Sequence, residues 1–134
     1  MADVVTSQIV FDGEREAVMK FTNVSDGTGE TGVLKVDVSA LAPSAYNNAC
    51  DGVTIERIFA SVNGMSVSII WDATADVPCF ILSPGMYTFK FDKLQLPNNA
   101  GAGVTGDILF STIGATSGDT YTIVLQMVKS YATP

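Results

Sequence analysis

Fourteen carboxylates, two cysteines and no histidine bound the chemistry open to this chain. Paired acids are the common catalytic device that remains. A glycosidase needs two facing carboxyl groups ~5–10 Å apart, one to protonate the leaving group and one to attack or to activate water. Seven of the acids, Asp12, Asp26, Asp51, Asp72, Asp76, Asp92 and Asp119, fall where turns are expected. Aspartates at turns hydrogen-bond to nearby backbone, which accounts for them without catalysis. Glu56 and Arg57 lie inside an expected strand, on opposite faces, where a cross-strand ion pair is the ordinary role. Without histidine, neither Ser-His-Asp nor Cys-His catalysis can be assembled, and two cysteines alone cannot close a zinc site. Gly64-Met65-Ser66-Val67-Ser68 carries serine where a nucleophile elbow needs its last glycine. Ala100-Gly101-Ala102-Gly103 has no helix behind it to receive a phosphate. No catalytic, cofactor-binding or metal-binding residue is assigned, and no enzymatic activity is expected.

Four weaker signals have ordinary explanations. Asp72-x-Thr74-x-Asp76 has the alternating oxygens of a calcium loop but lacks the following glycine and the distant bidentate glutamate. Trp71, Tyr87 and Tyr121 could offer ring faces to a sugar, yet each falls in phase with apolar neighbours, as core residues do. Asn23-Val24-Ser25 is a glycosylation sequon, but the chain opens with neither the basic nor the apolar region of a signal peptide. Cys50 and Cys79 are too few for a disulfide framework and suit buried or half-buried thiols in a reducing compartment, with a single Cys50–Cys79 bridge left open.

The elements that would position these side chains are strands. Apolar residues alternate with polar ones between turns rich in Gly, Asn, Asp and Pro from Val4 to Tyr131. Strands are expected over Val4–Phe11, Arg15–Val24, Gly32–Val38, Val53–Val62, Ser66–Trp71, Val77–Leu82, Met86–Phe91, Thr105–Thr112 and Thr120–Ser130. Ala17, Met19 and Phe21 share one face, Leu34, Val36 and Val38 another, and Ile58, Ala60 and Val62 lie opposite Ile55 and Phe59. Tyr87, Phe89 and Phe91 supply aromatic bulk on one face, and Ile108 and Phe110 share another. Asn63-Gly64 is the strongest two-residue hairpin signal and is expected to join Val53–Val62 directly to Ser66–Trp71. Pro78 marks an edge strand, and Ser39–Asp51 a crossover between sheets or a short helical turn. Thr120–Ser130 is apolar on both faces, which suits a central or covered strand. The fold expected is all-β: one domain over residues 1–134, an antiparallel two-sheet sandwich of about eight to nine strands, with jelly-roll wiring one option and a small barrel the runner-up.

Charge narrows the partners. The net charge is −7, and the seven basic residues are scattered rather than clustered. A nucleic-acid binder needs a cationic surface to displace phosphate counterions, so neither nucleic acid nor an anionic membrane is an expected partner. No apolar stretch approaches the ~20 residues of a membrane span. Charged residues are only 16% of the chain, against about 25% in ordinary soluble domains, and 47% are apolar. Such a surface is either hydroxyl-rich or partly covered by other subunits.

Met19-Lys20-Phe21-Thr22-Asn23-Val24-Ser25-Asp26-Gly27-Thr28-Gly29-Glu30 resembles segments of small virion structural proteins of tailed bacteriophages. Lys35-Val36-Asp37-Val38, Gly52-Val53-Thr54-Ile55-Glu56, Trp71-Asp72-Ala73-Thr74-Ala75-Asp76 and Leu96-Pro97-Asn98-Asn99-Ala100-Gly101-Ala102-Gly103 extend the resemblance over most of the chain. It implies a capsid decoration (cement) protein, made in the host cytoplasm and seated on the capsid exterior of the virion. Its implied partners are the major capsid protein and itself, as homotrimer or homodimer. The alternative is a tail, neck or head-fibre component that binds a host surface glycan. Candidate contact segments are Ala2–Ser7, Pro97–Val104 and Thr120–Ser130.

Overall fold

A computed structural model describes residues 4–13, 15–43, 49–90 and 105–131. Nine strands follow one another: β1 (Val4–Asp12), β2 (Glu16–Asp26), β3 (Val33–Val36), β4 (Cys50–Asn63), β5 (Ser66–Trp71), β6 (Val77–Leu82), β7 (Gly85–Lys90), β8 (Ile108–Ile113) and β9 (Ser117–Tyr131). A 3-10 turn, Val38–Ala40, lies between β3 and β4, where Asp37 caps it by accepting the Ser39 backbone N–H.

The strands form two antiparallel sheets, one of five strands in the order β1-β2-β9-β4-β7 and one of four in the order β3-β8-β5-β6. Only the β1–β2 and β5–β6 connections stay within a sheet; every other connection crosses between them. Set β1 aside, and β2-β9-β4-β7 facing β3-β8-β5-β6 is the wiring of an eight-stranded jelly roll. β1 is an added strand on the outer edge.

The core lies between the sheets and follows the alternation. Ala17, Met19 and Phe21 of β2, and Tyr121, Ile123, Leu125 and Met127 of β9, are buried against Val67, Ile69 and Trp71 of β5 and Ile108 and Phe110 of β8. Burying each large apolar side chain stabilises the fold by roughly 1.5–3 kcal/mol. Phe110 bridges the layers, meeting Phe21 edge-on at 5.1 Å and Tyr121 edge-on at 5.9 Å between ring centroids. β9, apolar on both faces, is the central strand of its sheet, and β6, which carries Pro78, is an edge strand.

Three local expectations are corrected. Asn63-Gly64 does not close a hairpin: β4 pairs with β7 and β9, while β5 pairs with β6 and β8 in the other sheet. Gly64 takes a positive φ of 83° and turns the chain across the end of the sandwich, and Met65 plugs the core there at 2% exposure. The positive φ that makes Asn-Gly a hairpin signal serves equally for a sharp corner. Glu56 and Arg57 are not on opposite faces, because the β4–β9 register shifts between Ile55 and Arg57. The extra residue puts both Ile55 and Ile58 in the core and leaves Glu56 and Arg57 outside it. A shift in the β3–β8 register between Leu34 and Val36 likewise leaves Leu34 48% exposed while Lys35, Val36 and Val38 are buried. Phe91, Asp92 and the loop Pro97–Val104 lie outside the described residues.

Candidate functional site

Among the described residues polar side chains converge in three places, and in each they are engaged with one another or with nearby backbone. The first is at the β2–β3 end. Glu30 sits in the connecting turn, which three positive-φ glycines permit; Gly29 packs so closely on the Thr112 hydroxyl that a Cβ would clash. The turn is latched to β8, where the Glu30 N–H donates to Thr112 Oγ1 at 2.8 Å and the Thr112 N–H donates to the Glu30 carbonyl at 2.9 Å. The Glu30 carboxylate therefore points inward. Its Oε1 accepts from Asn23 Nδ2 at 2.9 Å and from the Tyr121 hydroxyl at 2.5 Å, and its Oε2 lies 2.6 Å from Lys35 Nζ. Lys35 also stands 5.9 Å from the centre of the Phe110 ring. All four side chains are buried, so this charge network braces the fold and offers no face to a substrate.

The second joins the start and the end of the chain. Lys129 Nζ lies 2.6 Å from Asp12 Oδ1 and donates to the carbonyls of Gly13 and Ala42, each at 2.8 Å. Asp12 Oδ2 in turn accepts the Ala42 N–H at 2.8 Å. Burial works against the charge on Lys129, but its hydrogen bonds to Asp12 and Tyr131 and the Asp12 charge outweigh it and raise its pKa.

The third lies beside the β5–β6 turn. Asp107 Oδ1 accepts the Val38 N–H at 2.9 Å, and Asp72 Oδ2 accepts the Thr105 hydroxyl at 2.8 Å. Burial pushes the Asp107 carboxyl up; the Val38 N–H opposes this and the charges of Asp37 and Asp72 add to it. Asp76 Oδ1 caps the turn by accepting the Ala73 N–H at 3.0 Å. Asp72 and Asp76, the two carboxylates of the calcium-like spacing, are thus both engaged in holding loops.

The remaining singled-out residues are placed as follows. Asp26 and Asp119 accept local N–H groups from Thr28 and Thr116, and Asp51 accepts the Ser130 hydroxyl. Trp71 and Tyr121 are 1% exposed, while Tyr87 is half-buried, stacked 5.4 Å from Phe89 and donating to the Pro84 carbonyl. Asn23, the sequon asparagine, is 1% exposed. Cys50 and Cys79 are free thiols, one buried and one half-buried, and burial pushes Cys79 up to about 12. Sequence reasoning did not single out Glu30, Lys35 or Lys129.

The surface carries what the interior does not. Every side chain from Val5 to Phe11 on β1 is exposed, Val5, Ile9, Val10 and Phe11 among them. Across the outer face of the four-stranded sheet, Leu34, Leu109, Ile70 and Pro78 are in register, flanked by exposed Ile81 and Ile113. The outer face of the five-stranded sheet mixes hydroxyl, basic and apolar side chains, with Phe59 and Met86 exposed on it. It bears Thr6, Thr22, Thr122 and Ser61 in one row, and Gln126, Arg57 and Lys90 in another. The chemistry available at these described surfaces is contact: apolar burial, hydroxyl hydrogen bonding and strand pairing.

No family model matches the chain, and no curated protein matches it. Among solved structures it is similar to the polyketide cyclase RemF from Streptomyces resistomycificus, at 12% identity over 96% of this chain and 68% of that one, with a TM-score of 0.32. At that TM-score the likeness bears on neither fold nor chemistry.

Proposed function

We propose that this chain is a non-enzymatic structural protein of a phage virion, a decoration protein that binds the outer surface of the major capsid shell and stabilises it. One contrast carries the reading. The converging polar groups are engaged in holding the fold together, whereas apolar side chains stand exposed on β1 and across the outer face of the β3-β8-β5-β6 sheet. A protein built this way works by being contacted. The jelly-roll wiring is compatible, since the architecture serves viral capsid domains, although it also serves lectins and cupins and does not by itself assign a role. Contacts repeated over a symmetric shell would add avidity to modest single-site affinity.

Purified heads provide the test. The chain is expected in stoichiometric copy number on the head exterior, and heads made without it are expected to lose DNA at a lower temperature. Heads in which the chain is absent would overturn the reading.

A further inference from the structure

We propose that the free edge of β1 pairs antiparallel with β1 of a second copy across a two-fold axis at Ser7, joining two five-stranded sheets into one. This gives a surface and a symmetry to the self-association contained in the reading above, but its test needs only the isolated chain.

Among the described residues the two sheets end in four edge strands, and three are protected against pairing. β3 is four residues long and broken by a register shift. β6 carries Pro78, and its register with β5 also slips. β7 is six residues long and ends in Lys90. Short strands, prolines, lysines and bulges are the devices that keep edges from pairing. β1 has nine residues, neither charge nor proline from Val4 to Phe11, and a regular register from Val4 to Ile9. At ~3.4 Å per residue the regular stretch Val4–Ile9 presents an edge about 20 Å long, and the shift between Ile9 and Phe11 lies beyond it.

Its side chains also lack cover. Val5 and Ile9 pair with Asn23 and Met19 of β2, so they face the core side of the sheet, yet they are 44% and 45% exposed. β1 extends a five-stranded sheet that faces only four strands.

A second copy fits this edge because the strand is complementary to itself. About a two-fold axis at Ser7, Val5 lies opposite the partner's Ile9, Thr6 opposite the partner's Gln8, and Ser7 opposite its own copy. Paired apolar β-branched side chains stabilise such a ladder. Each copy carries a net charge of −7, but this pairing opposes no two carboxylates. Asp12, the acid that closes the strand, is paired with Lys129. A strand pairing alone buries less than the ~800 Å² per partner of a standard interface, so the expected dimer dissociates in the micromolar range.

Sedimentation velocity of the purified protein should show a monomer–dimer equilibrium. Ser7→Lys, at an exposed position, should weaken the dimer by about fivefold or more with unchanged circular dichroism, because it opposes two ammonium groups at the axis. Combining Val5→Lys with Ile9→Glu in one chain should preserve the dimer, since each introduced cation meets an introduced anion. Ser7→Cys should give a covalent dimer on mild oxidation, and Val5→Cys alone should not. A protein that stays monomeric at millimolar concentration, a trimer, or a dimer that Ser7→Lys leaves intact would overturn the proposal.

Discussion

Glu30 and Lys35 meet at 2.6 Å with their side chains only 5% and 2% exposed, a fully formed ion pair inside a β-sandwich. Each charge gave up its hydration to be there, and each is tolerated because the other is present. Removing one partner of such a pair typically costs about 3–5 kcal/mol, whereas replacing both can be nearly neutral. Glu30→Gln keeps an acceptor for Asn23 and Tyr121 but strands the ammonium, and should lower stability by about 3 kcal/mol. Adding Lys35→Met should recover most of that loss. Urea denaturation of the two single variants and the double closes the cycle; additive losses would show that the pair is not coupled.

Lys129 gives a second test, with a pH dependence. Lys129→Met leaves Asp12 and the carbonyls of Gly13 and Ala42 without their shared donor, and should cost about 3 kcal/mol at neutral pH. The folded-state pKa is raised above the ordinary 10.5. The folded protein therefore holds the proton more tightly than the unfolded chain, and the stabilisation is complete below the ordinary value and lost as pH rises through the folded one. The gap between wild type and Lys129→Met in urea midpoint should narrow above about pH 10.5. A gap that stays constant to the highest workable pH would remove the ionic contribution.

The sandwich was legible in the sequence because its strands keep strict period, and two of the buried polar residues could have been found the same way. Asn23 continues the phase of Ala17, Met19 and Phe21, and Lys129 continues that of Tyr121 through Met127. Following the alternation past the last apolar residue would have placed both inside. Lys35 and Ile55 were not legible, since each lies beside a register shift that breaks the period. Glu30 was not legible either, because its direction comes from a turn latched to β8, a contact that spans 82 residues. The Asn63-Gly64 corner was misread because local turn chemistry does not distinguish a hairpin from a crossing between sheets.

Asp107 makes the opposite pH prediction. Its carboxyl is raised above the ordinary 3.8, first by burial and then by the charges of Asp37 and Asp72, with the Val38 N–H opposing. A carboxyl raised on folding favours the folded state below its ordinary value, and that contribution is lost as pH rises through the folded value. Above the folded value that contribution is absent. Asp107→Asn keeps an oxygen to accept the Val38 N–H and should match or exceed wild type at neutral pH, with its relative advantage shrinking as pH falls toward the ordinary carboxylate range. Urea midpoints at neutral and acidic pH measure this, and an asparagine variant markedly weaker at neutral pH would contradict it.

The corner between β4 and β5 can be tested through Gly64 and Asp119. Gly64 holds φ at 83°, and a Cβ there would collide with the Asp119 carboxylate. That carboxylate is fixed because it accepts both the N–H and the hydroxyl of Thr116. Gly64→Ala thus combines an unfavourable backbone conformation with a collision and should cost about 2 kcal/mol. Asp119→Ala removes the collision partner and loses its turn hydrogen bonds, which should cost about 1 kcal/mol. In the double variant the collision is gone, so its loss should fall short of the sum of the two single losses. An Asn63-Gly64 hairpin remote from β9 would give no such relief. Strictly additive losses would therefore separate residue 64 from the start of β9 and refute this corner.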